Sequence, residues 1–134
     1  MKHCIERLAQ HFQLQDRVSF AGYVTSVEKI WSQNHVLVMP SRYEGMPIAM
    51  VEAMLCARPV VATDVAGHAE IVKDGLTGFL ADAPTANSVG IALERMWERR
   101  HEIEAIGKAG ANSIRKYIST DPARTFAEKI SVFC

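Results

Sequence analysis

Across residues 47–57 every side chain is apolar except Glu52. A helix that is apolar nearly all round has no face to offer water and must be covered on several sides. The runs flanking it, His35-Val-Leu-Val-Met and Pro59-Val-Val-Ala-Thr, lack the alternation of a half-exposed strand. Unalternating apolar strands belong to parallel sheets with both faces covered. Strand, buried helix and strand in succession therefore predict an α/β domain with a mostly parallel sheet. Pro47 suits a first helical turn. Glu44 stands just ahead of that turn, where backbone N–H groups have no partner inside the helix. Glu52 must look out through a gap or meet a partner, because an unpaired buried charge is costly. Two carboxylates, one beside a helix N-terminus, mark a site for a polar, anionic ligand.

The rest of the chain extends this pattern. Ile5, Leu8, Ala9 and Phe12 recur at helical spacing, predicting an amphipathic first helix. Val18-Ser-Phe-Ala reads as a short strand ended by Gly22. Thr25 and Glu28 fit a capping box for a short helix that buries Val27, Ile30 and Trp31. Glu70-Ile-Val-Lys reads as one helical turn, Asp74-Gly75 as a tight turn and Thr77-Gly-Phe-Leu as a fourth strand. Three helices follow. The first carries the stripe Val89, Leu93, Met96 and Trp97; the second carries Ile103, Ile106, Ile114 and Tyr117, weakened by Gly107 and Gly110. Asp121-Pro122 opens the third, with Phe126, Ala127, Ile130 and Phe133 expected to be buried. In such a sheet ligands bind beyond the carboxyl ends of the strands. Gly22-Tyr23, residues 41–46 and residues 63–68 are the loops expected there.

Composition narrows the function. A chain of 134 residues is one domain or a piece of one. Its formal net charge of +0 removes the broad electrostatic case for nucleic acid or an anionic membrane. Cys4, Cys56 and Cys134 are far apart and odd in number, which suggests neither a disulfide framework nor a zinc site. No stretch is long and apolar enough to span a bilayer, so a soluble, cytoplasmic protein is the default expectation. Gly-x-Gly-x-x-Gly, the P-loop and Gly-x-Ser-x-Gly are all absent. Of five histidines only His68 falls on the expected rim, where it reads more readily as a polar loop residue than as a catalyst.

Pro40-Ser-Arg-Tyr-Glu-Gly-Met-Pro-Ile-Ala-Met-Val-Glu-Ala-Met, followed by Pro59-Val-Val-Ala-Thr-Asp and Gly67-His-Ala-Glu-Ile-Val, resembles the signature of family 4 glycosyltransferases. Glu44 and Glu52 match that family's Glu-x7-Glu motif. The resemblance continues through Asp16-Arg-Val-Ser-Phe-Ala-Gly-Tyr-Val and Asp74-Gly-Leu-Thr-Gly-Phe-Leu, and so covers most of the chain. It implies the Rossmann-like, C-terminal, donor-binding domain of a two-domain GT-B enzyme. Residues 1–134 would form part of that domain, with a helical C-terminal tail and without the N-terminal acceptor domain. The implied reaction is retaining transfer of a hexose from a nucleoside-diphosphate sugar to a glycan, lipid or small acceptor, with no cofactor and no bound metal. Glu44 would contact donor-sugar hydroxyls and stabilise charge, and Glu52 would bind the ribose hydroxyls. The N–H groups of Gly45, Met46 and Ile48 would hold sugar and phosphate oxygens, and Tyr23 lies near the base-reading loop. A carboxylate can accept from two vicinal hydroxyls at once, and free N–H groups favour a diphosphate.

The resemblance has gaps. Ala57-Arg58 stands where the family has glycine in a left-handed cap, and Ala66 where a first glycine is common. The arginine and lysine that neutralise the donor diphosphate match no residue here. Without the strands that carry them, the 18–21 strand must pair directly with the 35–39 strand or stand as an edge. The isolated chain is accordingly expected to be marginally stable or to self-associate through an exposed sheet or domain interface, and to show no turnover. The full-length enzyme would be cytoplasmic or held at the membrane surface, reaching its acceptor through the other domain. Two alternatives stand beside this reading: a non-catalytic or regulatory module of the same fold, and a GT-B sugar-nucleotide epimerase or phosphorylase. From the two glutamates alone, a helix cap at Glu44 and an edge carboxylate at Glu52 would serve equally well.

Overall fold

A computed structural model describes residues 2–131. Strands β1 (Leu37–Met39), β2 (Val60–Thr63) and β3 (Gly78–Ala81) form one parallel sheet in that order. Leu37 lies opposite Val60, and Val60 opposite Gly78. Every residue of β2 is buried, as the unalternating run requires of a central parallel strand. Successive side chains on a strand point to opposite faces, so β2 feeds two cores. Val60 and Ala62 pack with Trp31, Met50, Ala53, Met54, Ile71, Val72 and Ile114. Val61 packs with Phe79, Ala81, Ala92 and Ile106 on the other side.

The helices supply those layers. Helix α2 (Val27–Gln33), α3 (Ile48–Leu55), α4 (His68–Ile71) and α6 (Ile103–Tyr117) contribute to the first core, and α5 (Ala86–Glu98) with the start of α6 to the second. Met50, Ala53 and Met54 of α3 are wholly buried, so the apolar helix sits where its composition demands. Pro47 is its N-cap rather than its first helical residue, with extended backbone. Its far end closes with two backbone bonds, Ala57 N–H to the Met54 carbonyl at 2.9 Å and Arg58 N–H to the Ala53 carbonyl at 2.8 Å. This crossed pair requires a left-handed residue, and Ala57 takes that conformation at φ +55°.

Several expectations change. Residues 18–21 form no strand, although Val18 has extended backbone, because no strand among the described residues lies beside them to complete a ladder. Helix α1 (Lys2–His11) rests near the 15–17 turn rather than on the sheet, leaving Ile5, Leu8 and Phe12 exposed. The cap of α2 is Ser26, not Thr25: its hydroxyl oxygen accepts the Lys29 N–H at 3.2 Å and donates to Glu28 at 2.9 Å. Trp97 leaves the α5 stripe and is exposed. Asp121 does open α7 (Pro122–Ser131), accepting the Arg124 N–H at 3.0 Å, yet Phe126, Ala127 and Ile130 are exposed. Phe133 and Cys134 lie outside the described residues. The glycines of α6 are points of close approach rather than weak links. A methyl on Gly107 would collide with the Ala57 carbonyl, and one on Gly110 would come within 3.2 Å of the Thr77 carbonyl.

Candidate functional site

The β1–α3 connection places Glu44 at the carboxyl end of the sheet. Its side chain is half-buried and accepts a hydrogen bond from the Ser41 hydroxyl at 3.2 Å. The Ser41 carbonyl in turn accepts the Thr63 hydroxyl at 2.5 Å, which ties this loop to the last residue of β2. Thr63 and His68 are both fully buried, and His68 Nδ1 lies 2.8 Å from the Thr63 carbonyl. A carbonyl can only accept, so the proton of that bond sits on Nδ1. His68 Nε2 is buried without a partner among the described residues. His68 is thus an interior anchor between β2 and α4 rather than a rim group.

Beyond Glu44 the backbone turns into α3 with its first donors free. No side chain caps this helix, and the N–H groups of Gly45, Met46 and Ile48 have no acceptor among the described residues. These are the orphan donors of a helix start, reinforced by the helix dipole. Glu52 lies one turn further along the same face as Ile48, about 6 Å up the axis. It is half-buried and lines a cleft of about 310 Å³ with Val27, Glu28, Leu55 and Cys56. The Glu28 carboxyl in that cleft is held below its ordinary range by its own backbone N–H and by the Ser26 hydroxyl, against slight desolvation. Two carboxylates without a basic side chain between them suit hydroxyl donors better than an anion.

Met46 and Gly45 also line a smaller cavity of about 140 Å³, closed by Ala66, Gly67, Glu70, Ile71 and Tyr117. Tyr117 donates to Glu70 at 3.5 Å there. Neither residue has a spacing that would have singled it out, since Tyr117 arrives from α6, 47 residues away in sequence. Ala66 holds φ +50° in the loop between β2 and α4. Of the residues proposed from sequence, Glu44, Gly45 and Met46 precede α3 and Ile48 opens it, while Glu52 lies a turn further on and lines a different cleft from Gly45 and Met46. Tyr23 is almost fully exposed and lines a separate, broader cleft with Gly22, Thr25, Ser26, Lys29 and Gln33. Among the described residues no group of three or more His, Cys, Asp or Glu side chains is placed to hold a metal ion. No described helix is long and apolar enough to cross a membrane.

A parallel α/β sheet with an uncapped helix start at its carboxyl edge is a Rossmann-like arrangement. The chain belongs to the glycosyl transferases group 1 family, whose match covers residues 2–99. Over 133 residues it is 26% identical to the putative glycosyltransferase EpsD of Bacillus subtilis, covering 99% of this chain and 34% of that protein. The chain thus spans about a third of the length of that relative. Among solved structures it is similar to a sucrose-phosphate synthase from Thermosynechococcus elongatus, with a TM-score of 0.83 and 28% identity, over 96% of this chain and 33% of that one. It also shares the fold of Anabaena HepE in complex with UDP, with a TM-score of 0.85 and 22% identity, over 96% and 36% of the two chains. A second HepE structure holds UDP-glucose. The fold is the Rossmann-like domain of GT-B glycosyltransferases.

Proposed function

We propose that this chain binds the nucleoside-diphosphate sugar of a retaining, family 4 hexosyl transfer. The observation that carries the reading is that the N–H groups of Gly45, Met46 and Ile48, which fall between Glu44 and Glu52 in sequence, have no acceptor among the described residues. In this reading the diphosphate sits against the start of α3, where the N–H groups and dipole oppose its charge. The ribose hydroxyls enter the Glu52 cleft, and the sugar reaches the half-buried Glu44. The UDP and UDP-glucose complexes of HepE support a ligand of this class.

The transfer breaks the bond between the anomeric carbon and the terminal phosphate oxygen and forms one from that carbon to an acceptor hydroxyl on the same face. The acceptor proton passes to the departing phosphate, so no side chain need act as a base. Free N–H groups stabilise the charge that grows on the phosphate, and Glu44 stabilises the positive sugar carbon and orients its hydroxyls. No metal is called for in this scheme. The clefts at Glu52 and at Met46 contain no lysine or arginine. The 134-residue chain is therefore proposed to bind its donor without turning it over, in a cytoplasmic setting, its acceptor being a glycan, a lipid or a small molecule. A ligand-observed NMR screen of UDP-, GDP- and ADP-sugars tests this, with Glu52→Ala as control. Binding of at least one donor that disappears in the control is expected; no binding by the unaltered chain would overturn the reading.

A further inference from the structure

The hydrogen-bond path running back from Glu44 has a direction. Ser41 donates its hydroxyl to the carboxylate and offers its carbonyl to Thr63, which is itself wholly buried at the end of β2. Residue 41 is thus pinned from behind while it holds Glu44 from below. The Thr63 carbonyl is secured in turn by the buried His68 ring. A β-strand end surrounded by core is a far more rigid support than an exposed loop, and site groups hold their geometry only when their neighbours are fixed.

We infer that Thr63 and Ser41 are positioning residues that aim the Glu44 carboxylate at the donor sugar. This rests on the proposed donor-binding role of Glu44 and adds two residues that the Glu-x7-Glu spacing does not contain. It separates two parts of one ligand. The nucleotide half is held by the Gly45, Met46 and Ile48 N–H groups and by Glu52, none of which is hydrogen-bonded to Ser41 or Thr63, whereas the sugar half depends on the Glu44 carboxylate that Ser41 holds. Damage at Thr63 should accordingly be felt by the sugar and not by the nucleotide.

The test measures dissociation constants for a nucleotide and its sugar conjugate side by side, by calorimetry on the whole chain. The pairs are UDP with UDP-glucose, GDP with GDP-mannose and ADP with ADP-glucose. Thr63→Val removes the hydroxyl and keeps the shape. It is expected to weaken the sugar conjugate by up to about tenfold, the upper end for loss of a hydrogen bond between neutral groups. The bare nucleotide should stay within about twofold in the same variant, since its contacts are untouched. Thr63→Ser should restore the conjugate. Ser41→Ala, at a partly exposed position, should reproduce the split even where Thr63→Val fails to fold. A merely structural role would weaken both ligands together or neither, and either result overturns the inference. An unaltered chain that binds none of the three pairs overturns the donor-binding reading and this inference with it. Normal nucleotide binding with an intact sugar response in the variants overturns this inference alone.

Discussion

Gly107 of α6 lies against the Ala57 carbonyl so closely that no β-carbon fits between them. In an open helix, replacing glycine by alanine stabilises by about 1 kcal/mol. Here the obstacle is backbone, which cannot swing aside. Gly107→Ala is expected to destabilise by about 1–3 kcal/mol, the usual cost of overpacking. Gly90 of α5 is the internal control, since open space surrounds its position. Gly90→Ala should raise stability by about 1 kcal/mol. Urea titration followed by circular dichroism compares the two, and midpoints moving in the same direction would refute the packing argument.

Ala57 and Ala66 both hold left-handed backbone, at φ +55° and +50°. For an L-residue this costs about 1–2 kcal/mol, part of which glycine loses again through its freer unfolded chain. Ala57→Gly and Ala66→Gly should therefore each stabilise by roughly 0.5–1 kcal/mol. They lie beyond opposite ends of β2, so additive shifts are expected in the double variant. A midpoint lowered by Ala57→Gly would show that the turn after α3 draws on the alanine methyl.

Asp74 fixes the turn before β3. Partial desolvation pushes its carboxyl up, but the Arg95 guanidinium at 2.7 Å and the N–H groups of Leu80 and Gly75 together hold it below the ordinary value. A carboxyl depressed in the folded state contributes stability above its unfolded pKa and loses it as pH falls through the folded one. The loss should therefore begin near pH 4, the ordinary aspartate range, and continue below it. Both side chains are substantially exposed, so solvent limits the pair to under about 1 kcal/mol. Asp74→Asn should flatten the acid limb of the stability profile measured by urea midpoints from pH 6 to pH 2. A variant whose profile overlies that of the parent chain would remove Asp74 from the account.

What was legible in the residues follows from where the determining forces act. The run at 59–63 announced a strand covered on both faces, because such burial demands apolar side chains at every position; the 35–39 run reads alike, yet β1 has one neighbour in the described sheet and Val38 is exposed. The 18–21 stretch looks equally strand-like, but a strand is a relation between two segments, and no described neighbour supplies the second. Gly107 and Gly110 read as helix weaknesses because the carbonyls they clear belong to residues 57 and 77, which local sequence does not bring near. The first half of the site, from Glu44 to Glu52, is contiguous and so was visible. Thr63 reaches Ser41 across 22 residues and Tyr117 reaches Glu70 across 47, contacts that only the sheet order and the return of α6 create. His68 looked like a loop residue although its partner, the Thr63 carbonyl, is only five residues back, because burial of the ring is not a property of local spacing.

Glu52 separates ligand binding from folding most cleanly. It sits in an otherwise apolar helix, half-buried, with its carboxylate on a cleft shared by Glu28. Glu52→Gln keeps the volume and one acceptor oxygen but loses the second acceptor and the charge, so two vicinal hydroxyls are no longer matched. Nucleoside-diphosphate affinity should fall by about 10- to 100-fold, as for lost hydrogen bonds to a charged group. The carboxylate meets no cation in this cleft, so the substitution should leave the melting midpoint unchanged or raise it, easing the proximity of Glu28. Calorimetric titration and a thermal melt on the same protein read both. A variant that binds like the parent chain would reduce Glu52 to a solvated edge carboxylate, and a variant that fails to bind only because it unfolds would make it a structural residue.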